Sequence, residues 1–250
     1  MELRVLRAEL PDFDEIELFV LADLHIGDPS TDETMIREFV RFILDKPNRY
    51  VILNGDIVDN ALTVSVSDTY SQKYSPSLAI NHATKILMPL ANDKRILAIG
   101  TGNHEDRTYK ITGIDISSYL AKDLGCEKVY TDNSFVLFVK FGKSEYWEEK
   151  RPKKNVYSIF SWHGSGGGRK PGGKMNRVQS MQETIDVDLY IMSHVHTPMT
   201  MSDSTFNVNY QNMTISQKQR SYLVTNAWQD FGGYGPVSYT HLTLPTILLV

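Results

Sequence analysis

The stretch ILAIGTGNHEDR, residues 96–107, joins five apolar or small residues to a dense group of polar side chains. The apolar run has the length and composition of a buried β-strand. A turn after a strand uses glycine and asparagine, but it does not require the histidine and the two carboxylates that follow here. We therefore expect this strand to act as a rigid mount for a polar site at its carboxyl end.

The same change from apolar to polar residues occurs after four other predicted strands. These stretches are FVLADLH (19–25), YVILNGDIVD (50–59), YSIFSWHG (157–164) and LYIMSHVH (189–196). Five of the seven histidines follow the predicted strands: His25, His104, His163, His194 and His196. Ligand sites in open α/β sheets form outside the carboxyl ends of the strands. We expect these side chains to converge on one pocket.

Alternating strands and helices predict an α/β fold. Strands are predicted at 15–23, 49–56, 95–100, 134–141, 155–162, 188–193, 203–209 and 220–226. Helices are predicted within 30–47, around 83–90 and at 114–125. The alternating first half favours parallel pairing, and the strand-rich second half favours some antiparallel pairing.

The first predicted helix has start and stop signals. Ser30 and Glu33 have the spacing of a capping box, and Pro47 follows the last turn. Its apolar residues fall on one helical face: Ile36, Phe39, Val40 and Ile43.

Composition argues against several classes of protein. The net charge of -4 gives no overall attraction to nucleic acid or anionic membranes. A single cysteine, Cys126, cannot form an intramolecular disulfide. The start lacks a signal-peptide core, and no apolar run approaches the ~18 residues that a bilayer span needs. These features predict a cytoplasmic protein with no membrane partner.

The chain is predicted to form one domain over residues 1–236. The last fourteen residues, VSYTHLTLPTILLV (237–250), resemble the read-through translation of a sequencing-library adapter. On that interpretation the natural chain is cut near Pro236, the domain is truncated at its C-terminus, and His241 belongs to the added tail. The alternative is a genuine final strand.

The polar groups after the strands have the chemistry of a two-metal site. Imidazole and carboxylate donors with one amide, and no thiolate, suit Mn, Fe, Zn or Ni. Histidines at i and i+2 of an extended strand point to the same face, whereas these two rings are expected to turn toward different metal ions. His194 and His196 are therefore predicted to lie in a loop just past their strand.

The order of the motifs makes the pattern specific. Asp-x-His, Gly-Asp-x-x-Asp, Gly-Asn-His-Glu, a lone strand-end histidine and His-x-His follow one another over roughly residues 15–200. This series resembles the calcineurin-like metallophosphoesterase superfamily, and the chain is similar to its phage-encoded members. Ser193 stands where the family usually has glycine. The resemblance implies a four-layer α/β/β/α sandwich with two mixed β-sheets.

The resemblance also implies a role for each motif residue. The first metal ion would be held by Asp23, His25, Asp56 and His196. The second would be held by Asp56, Asn103, His163 and His194. Asp56 would bridge the two divalent transition-metal ions, with manganese expected first and iron, zinc or nickel as alternatives. His104 would stand beside them, with Asp59 and Glu105 as residues that orient histidine or water.

The implied reaction is hydrolysis of a phosphoester by a metal-bound hydroxide. His104 would protonate the leaving alkoxide or stabilise charge on the phosphoryl oxygens. DNA or RNA is favoured slightly as substrate, while phosphoproteins, nucleotides and small monoesters stay open; a phage-encoded protein would act in the host cytoplasm. The rival hypothesis is a non-catalytic metal-binding scaffold of the same fold that binds a partner. The sequence does not predict an oligomeric state.

Several segments have simpler alternative interpretations. Glu105, Asp106 and Arg107 could begin a helix with a solvated ion pair. The stretch GSGGGRKPGGKMNR (164–177) has nucleotide-loop spacing from Gly168 to Lys174, but Met175 replaces the Ser or Thr that would bind magnesium. We interpret it as a mobile basic loop that attracts phosphate-rich substrates, or as an ordinary solvated loop. His82, Trp162 and Trp228 are predicted to be structural.

Overall fold

The computed structural model describes residues 3–63, 65, 69–142, 155–166, 170–229 and 247–249. In chain order its elements are β1 (Arg4–Glu9), β2 (Glu17–Leu21), α1 (Glu33–Leu44), β3 (Arg49–Asn54), α2 (Pro76–Asn92), β4 (Ile96–Gly100), α3 (Asn103–Thr112), α4 (Ile116–Asp123), β5 (Tyr130–Thr131), β6 (Phe135–Phe141), β7 (Asn155–Trp162), α5 (Pro171–Gln179), β8 (Leu189–Met192), β9 (Met199–Asn209), β10 (Thr214–Val224) and β11 (Ile247–Leu249). Short 3₁₀ turns lie at Glu127–Val129 and Ser180–Glu183.

The strands form two mixed sheets. One has the order β1-β6-β7-β8-β10-β9, with antiparallel pairing only between β6 and β7 and between β9 and β10. The other has the order β11-β2-β3-β4-β5 and is parallel except for β11. The predicted division between a parallel first half and a partly antiparallel second half is confirmed. Strands β2, β3 and β4 are buried along their whole length, as expected of parallel strands covered on both faces.

Three hydrophobic cores separate four layers. The first lies between the helices and the parallel sheet and contains Ile36, Leu87, Leu120, Phe19 and Leu53. The second lies between the two sheets and contains Leu18, Ile52, Leu137, Ile191 and Leu223. The third lies under α5 and contains Val178, Met181, Phe160, Tyr190 and Tyr222. The predicted α/β/β/α sandwich is confirmed. The carboxyl ends of its parallel strands lie at one edge of the sandwich.

The first helix starts differently from its prediction. Asp32, not Ser30, caps α1, because its carboxylate accepts a hydrogen bond from the Met35 amide at 2.9 Å. The amide and hydroxyl of Ser30 both donate to the Asp28 carboxylate and close a turn before the helix. Local side-chain bonding of this kind competes with capping. The apolar face of α1 is as predicted, with Ile36, Phe39, Val40 and Ile43 buried.

Two further segments correct the sequence interpretation. Pro171–Gln179 is the helix α5 and not part of a mobile loop; Pro171 lies in its first turn and Val178 and Met181 anchor this region to the sheet. Residues 167–169 lie outside the described residues. The hairpin of β9 and β10 is longer than predicted, and β1 was not predicted.

The C-terminal tail is described only over β11, which pairs antiparallel with β2. Residues 237–246, with His241, and Val250 lie outside the described residues. The adapter origin of the tail and the single domain over 1–236 stay predictions. None of the helices in the described ranges has both the length and the hydrophobicity that a bilayer span requires.

Candidate metal centre

All of the predicted ligands lie at one edge of the sandwich, where five parallel strands end. Asp23 and His25 follow β2, Asp56 follows β3, and Asn103 begins α3 after β4. His163 follows β7 in the other sheet, and His194 and His196 follow β8. The sequence-predicted loop position of the last pair is confirmed, because β8 ends at Met192. Parallel pairing aligns the strand ends, and this alignment brings distant parts of the chain together.

The first group of donor atoms consists of Asp23, His25 and His196. His196 Nε2 lies 3.2 Å from Asp23 Oδ1 and 3.2 Å from His25 Nε2. The Asp23 and His25 side chains are almost fully buried. The Asp23 carboxylate also accepts hydrogen bonds from the His194 amide and the Thr225 hydroxyl, which fix its orientation.

The second group consists of Asp56, His163 and His194, with Asn103 between them. His163 Nε2 lies 3.1 Å from Asp56 Oδ2 and 3.1 Å from Asn103 Oδ1. His194 Nδ1 lies 2.6 Å from the same Asn103 oxygen. Asp56 further groups with His25 and His104, so its carboxylate lies between the two sets. This is the position that a bridging ligand requires.

Most of these residues have unusual backbone geometry. Eight non-glycine residues in the described part of the chain have a positive φ, and five are predicted ligands: Asp23, His25, Asp56, His194 and His196. Non-glycine residues adopt this left-handed region rarely, at a cost of about 1–3 kcal/mol each, and such residues cluster at functional sites. The surrounding structure holds these five backbones in place so that their side chains face one another.

Two glycines permit the ligand loops to approach closely. A Cβ on Gly102 would lie 2.1 Å from Asp56 Oδ1, and one on Gly55 would lie 2.6 Å from the Gly102 amide nitrogen. Gly55 also has a φ of +82°, which favours glycine. Any side chain at either position would therefore push the β3 and β4 loops apart.

The centre is built of acceptor atoms that face one another. His163 Nδ1 lies 2.7 Å from the Asn54 carbonyl oxygen and donates to it, so in the neutral ring Nε2 has the lone pair. That lone pair faces the oxygens of Asp56 and Asn103. Burial opposes a charge on His163, yet the Asp56 carboxylate raises the pKa of His163 to about 10. The oxygens around His163 Nε2 favour a positive charge there, which a proton or a metal cation can supply. The set of donor atoms fits divalent metal ions.

The two buried aspartates are ionised for the same reason. Burial raises the pKa of Asp56, but the charges of His163 and His104 outweigh it and hold that pKa well below its usual range. Burial likewise opposes ionisation of Asp23, and His196 lowers its pKa overall. Two carboxylates without a bound proton are therefore available as anionic ligands.

His104 lies beside these groups and is oriented by Asp59. His104 Nδ1 is 2.7 Å from the Asp59 carbonyl oxygen and 3.0 Å from Asp59 Oδ1. The same Oδ1 is 3.3 Å from His25 Nδ1, so Asp59 contacts two histidines of the centre. Asp59 Oδ2 is buried and has no hydrogen-bond partner among the described residues. Burial opposes its ionisation, but His104 and His25 lower the pKa of Asp59.

His104 Nε2 points toward the space beside the ligands. It lies 3.8 Å from Asp56 Oδ2 and 2.9 Å from Arg107 Nη2. Burial disfavours a charged ring, yet Asp56 and Asp59 raise the pKa of His104. In the neutral ring Nε2 accepts from Arg107, and protonation of Nε2 would replace this hydrogen bond with an N–H donor.

Glu105 is a buried structural clamp, which contradicts its interpretation as half of a solvated ion pair. Its carboxylate accepts hydrogen bonds from the amides of Asp56 at 3.0 Å, Val58 at 3.1 Å and Gly102 at 3.0 Å. Burial and the nearby Asp56 charge raise the pKa of Glu105. The solvated interpretation holds for its neighbour Asp106, which pairs with Lys110 at the exposed surface of α3.

Comparison with known proteins agrees with this arrangement. The family model for calcineurin-like phosphoesterases matches residues 16–198. The chain belongs to this family. A search of curated proteins finds no match. Family membership and the buried histidine and aspartate groups together support a metal-dependent phosphoesterase.

Several residues that shape the centre were not predicted from sequence. Asn54 joins the two sheets beneath His163: its amide donates to the Ser193 hydroxyl at 2.7 Å, and its side-chain oxygen accepts from Ser161. The carboxyl end of β10 adds Thr225, whose strand-end position was a usable signal. Lys174 contacts the loop of His194 and His196.

The residues predicted to be structural have packing contacts. Trp228 is buried and lies against Phe39 with ring centroids 5.4 Å apart. Its backbone amide donates to the Asp23 carbonyl, so it also supports the first ligand loop. His82 stacks on Tyr74 at 4.0 Å, and Trp162 packs against the core under α5.

Proposed function

We propose that the protein is a dinuclear metal-dependent phosphoesterase, a hydrolase that cleaves a phosphoester bond with water. One observation carries this proposal: imidazole nitrogens, carboxylate oxygens and an amide oxygen from five strand ends lie close together, with His163 Nε2 3.1 Å from both Asp56 Oδ2 and Asn103 Oδ1. Asp23, His25, Asp56 and His196 would hold one ion, and Asp56, Asn103, His163 and His194 the other. When bound, the pair of cations neutralises phosphoryl oxygens and lowers the pKa of water.

The chain's own residues prepare the rest of the reaction. Asp59 holds His104 through Nδ1, and the Asp56 and Asp59 carboxylates raise the pKa of His104, which favours a proton on Nε2. We assign His104 the role of donating that proton to the leaving alkoxide as the ester bond breaks. Asp59 orients the rings of both His104 and His25, and Glu105 fixes the loops that carry Asp56 and His104.

The metal and the substrate are narrower parts of the proposal. The oxygen and imidazole donors favour manganese, with iron, zinc and nickel as alternatives. A phosphodiester in DNA or RNA is favoured by the basic residues Lys170 and Arg177 on the exposed side of α5. Arg169, which belongs to the same basic stretch, lies outside the described residues. A phage origin and a cytoplasmic location are part of the same hypothesis.

The test combines metal content with hydrolysis. The metal-loaded chain is expected to hydrolyse bis-p-nitrophenyl phosphate with added Mn²⁺, and His104→Ala and Asp56→Asn are expected to lose this activity. A substrate panel with p-nitrophenyl phosphate and with single- and double-stranded DNA and RNA then identifies the ester class. An inert wild type at full metal occupancy, on every substrate of the panel, would instead favour the non-catalytic scaffold.

A further inference from the structure

The Lys174 side chain reaches from α5 to the loop that carries two predicted ligands. Its ammonium group donates hydrogen bonds to the Val195 carbonyl oxygen at 3.0 Å and to the Thr197 hydroxyl oxygen at 2.5 Å. Val195 is buried and lies between His194 and His196. Lys174 itself is half-buried, so the two hydrogen bonds form partly out of water.

The loop that Lys174 contacts is tightly turned and unfavourable by itself. His194 has a φ of +69° and His196 a φ of +48°, in a region that residues with a side chain rarely adopt. The Val195 amide donates to the Ser193 carbonyl at 2.8 Å, and the Thr197 hydroxyl donates to the Val195 carbonyl at 3.0 Å. The Val195 carbonyl is thus the point at which contacts from within the loop and from α5 meet.

Helix α5 also lies against the loop after β7. A Cβ on Gly166 would lie 3.0 Å from Arg177 Nη1, so the guanidinium of Arg177 packs on this glycine, three residues after His163. Val178 anchors the helix in the core between α5 and the sheet. A single helix therefore touches the loops that carry His163, His194 and His196.

We propose that Lys174 is a positioning residue, which holds the Val195 carbonyl and thereby fixes the directions of His194 and His196 for metal binding. This inference rests on the proposed function, because it assumes that the two histidines are ligands. It gives Lys174 a different role from the neighbouring basic residues, since its donors are directed at the protein and not at solvent. Partners that orient ligands typically change metal affinity by about 10–100-fold when removed.

The experiment measures Mn²⁺ affinity of the whole chain by titration calorimetry. Lys174→Met keeps the length and apolar stem of the side chain and is expected to weaken Mn²⁺ binding at least about tenfold. Lys174→Arg, which retains a charged donor, is expected to recover part of this loss. Lys170→Met is the matched control, because it removes the same charge from the start of α5 and, among the described residues, the Lys170 side chain has no polar contact with the loop. It is expected to leave Mn²⁺ affinity unchanged.

A double-mutant cycle with Thr197→Val tests whether the contact itself is responsible. Thr197→Val is expected to weaken Mn²⁺ binding by a smaller factor, and the double variant by less than the product of the two factors. Circular dichroism of the metal-free variants checks their fold. If Lys174→Met does not fold, the Mn²⁺ affinities of Thr197→Val and Lys174→Arg test the inference in its place. Unchanged affinity in Lys174→Met, or an equal loss in Lys170→Met, overturns the inference alone. A wild type that binds none of Mn²⁺, Fe²⁺, Zn²⁺ and Ni²⁺ overturns both the inference and the proposed function.

Discussion

The candidate metal centre has an Asp56 half (Asp56, Asn103, His163 and His194) and an Asp23 half (Asp23, His25 and His196). The two halves differ in the pKa of their buried histidines His163 and His25. In the Asp56 half, the carboxylate stabilises a charged ring and raises the pKa of His163 to about 10, although burial acts against this. In the Asp23 half, burial and the neighbouring charge of His104 lower the pKa of His25. In the metal-free chain at neutral pH, His163 in the Asp56 half is protonated, whereas His25 in the Asp23 half is neutral.

The difference follows from the neighbours of each ring. His163 Nε2 faces two oxygens, those of Asp56 and Asn103, at 3.1 Å each. His25 packs edge-on against the rings of His104 and His196, with centroid distances of 4.4 and 5.1 Å. Oxygens favour a cationic ring and other imidazoles disfavour it. The ring of His163 therefore binds a proton that the ring of His25 does not, and this asymmetry predicts unequal responses to mutation and pH.

The largest effect is expected from Asp56→Asn. Asp56 lies between the two halves, so its loss should weaken metal binding in both and lower kcat/KM by more than about 10³-fold. Asp23→Asn is the matched variant, because it removes an equally buried carboxylate from one half, and it should lower the metal content by one ion only. Elemental analysis of both variants measures this directly. One retained ion in Asp56→Asn would contradict the bridging position.

The next largest effect is expected from His104→Gln. Glutamine keeps a polar side chain beside Asp59 but cannot carry the proton, so kcat should fall by roughly 10²–10³-fold. Because His104 is not a predicted ligand, the metal content should stay at the wild-type value. A variant that loses metal and activity together would show that His104 binds an ion. His104 would then have to be counted among the metal ligands.

Local patterns predicted the α/β class and the location of the centre, whereas the four layers were implied by the resemblance to the family. The buried strand β3 contains the continuous apolar run YVIL (50–53), and parallel strands align their carboxyl ends. The apolar run of the predicted strand 188–193 ends before His194, so the loop position of His-x-His followed from the end of that run. These inferences needed no knowledge of long-range contacts.

The supporting residues could not be predicted, because their roles depend on contacts between distant segments. Asn54 is a strand residue whose amide reaches Ser193, 139 positions away, across the two sheets. Glu105 has the pattern of an ordinary helix start, and only burial against the Asp56 loop turns it into a clamp. Lys174 belonged to a glycine-rich basic stretch, and no sequence signal indicated that its ammonium group would bind the ligand loop.

A smaller effect, on folding, is expected from Glu105→Gln. The glutamine amide presents one donor and one acceptor where the carboxylate accepts three backbone hydrogen bonds, so at least one buried amide of the Asp56 half loses its partner. The free energy of unfolding of the metal-free chain should fall by about 1–3 kcal/mol in urea titrations. Asp106→Asn, next to it on the exposed side of α3, should change this free energy by less than about 1 kcal/mol. Equal effects of the two substitutions would contradict the role of Glu105 as a clamp.

The finest test of the asymmetry is the number of protons released when metal binds. With a pKa of about 10, His163 is protonated in the metal-free chain at pH 7 and must lose that proton before Nε2 can bind a cation. His25, with its lowered pKa, has no proton to lose there.

Titration of Asp23→Asn with Mn²⁺ in two buffers of different ionisation enthalpy isolates the Asp56 half and should give about one proton released per ion. Affinity in this half should then fall about tenfold for each unit of decreasing pH, down to the pH at which further groups protonate. In the metal-free chain the same proton stabilises the fold, fully below the ordinary histidine pKa of 6.5, and that contribution is lost as the pH rises through about 10. A proton count near zero would mean that the two halves hold charge in the same way.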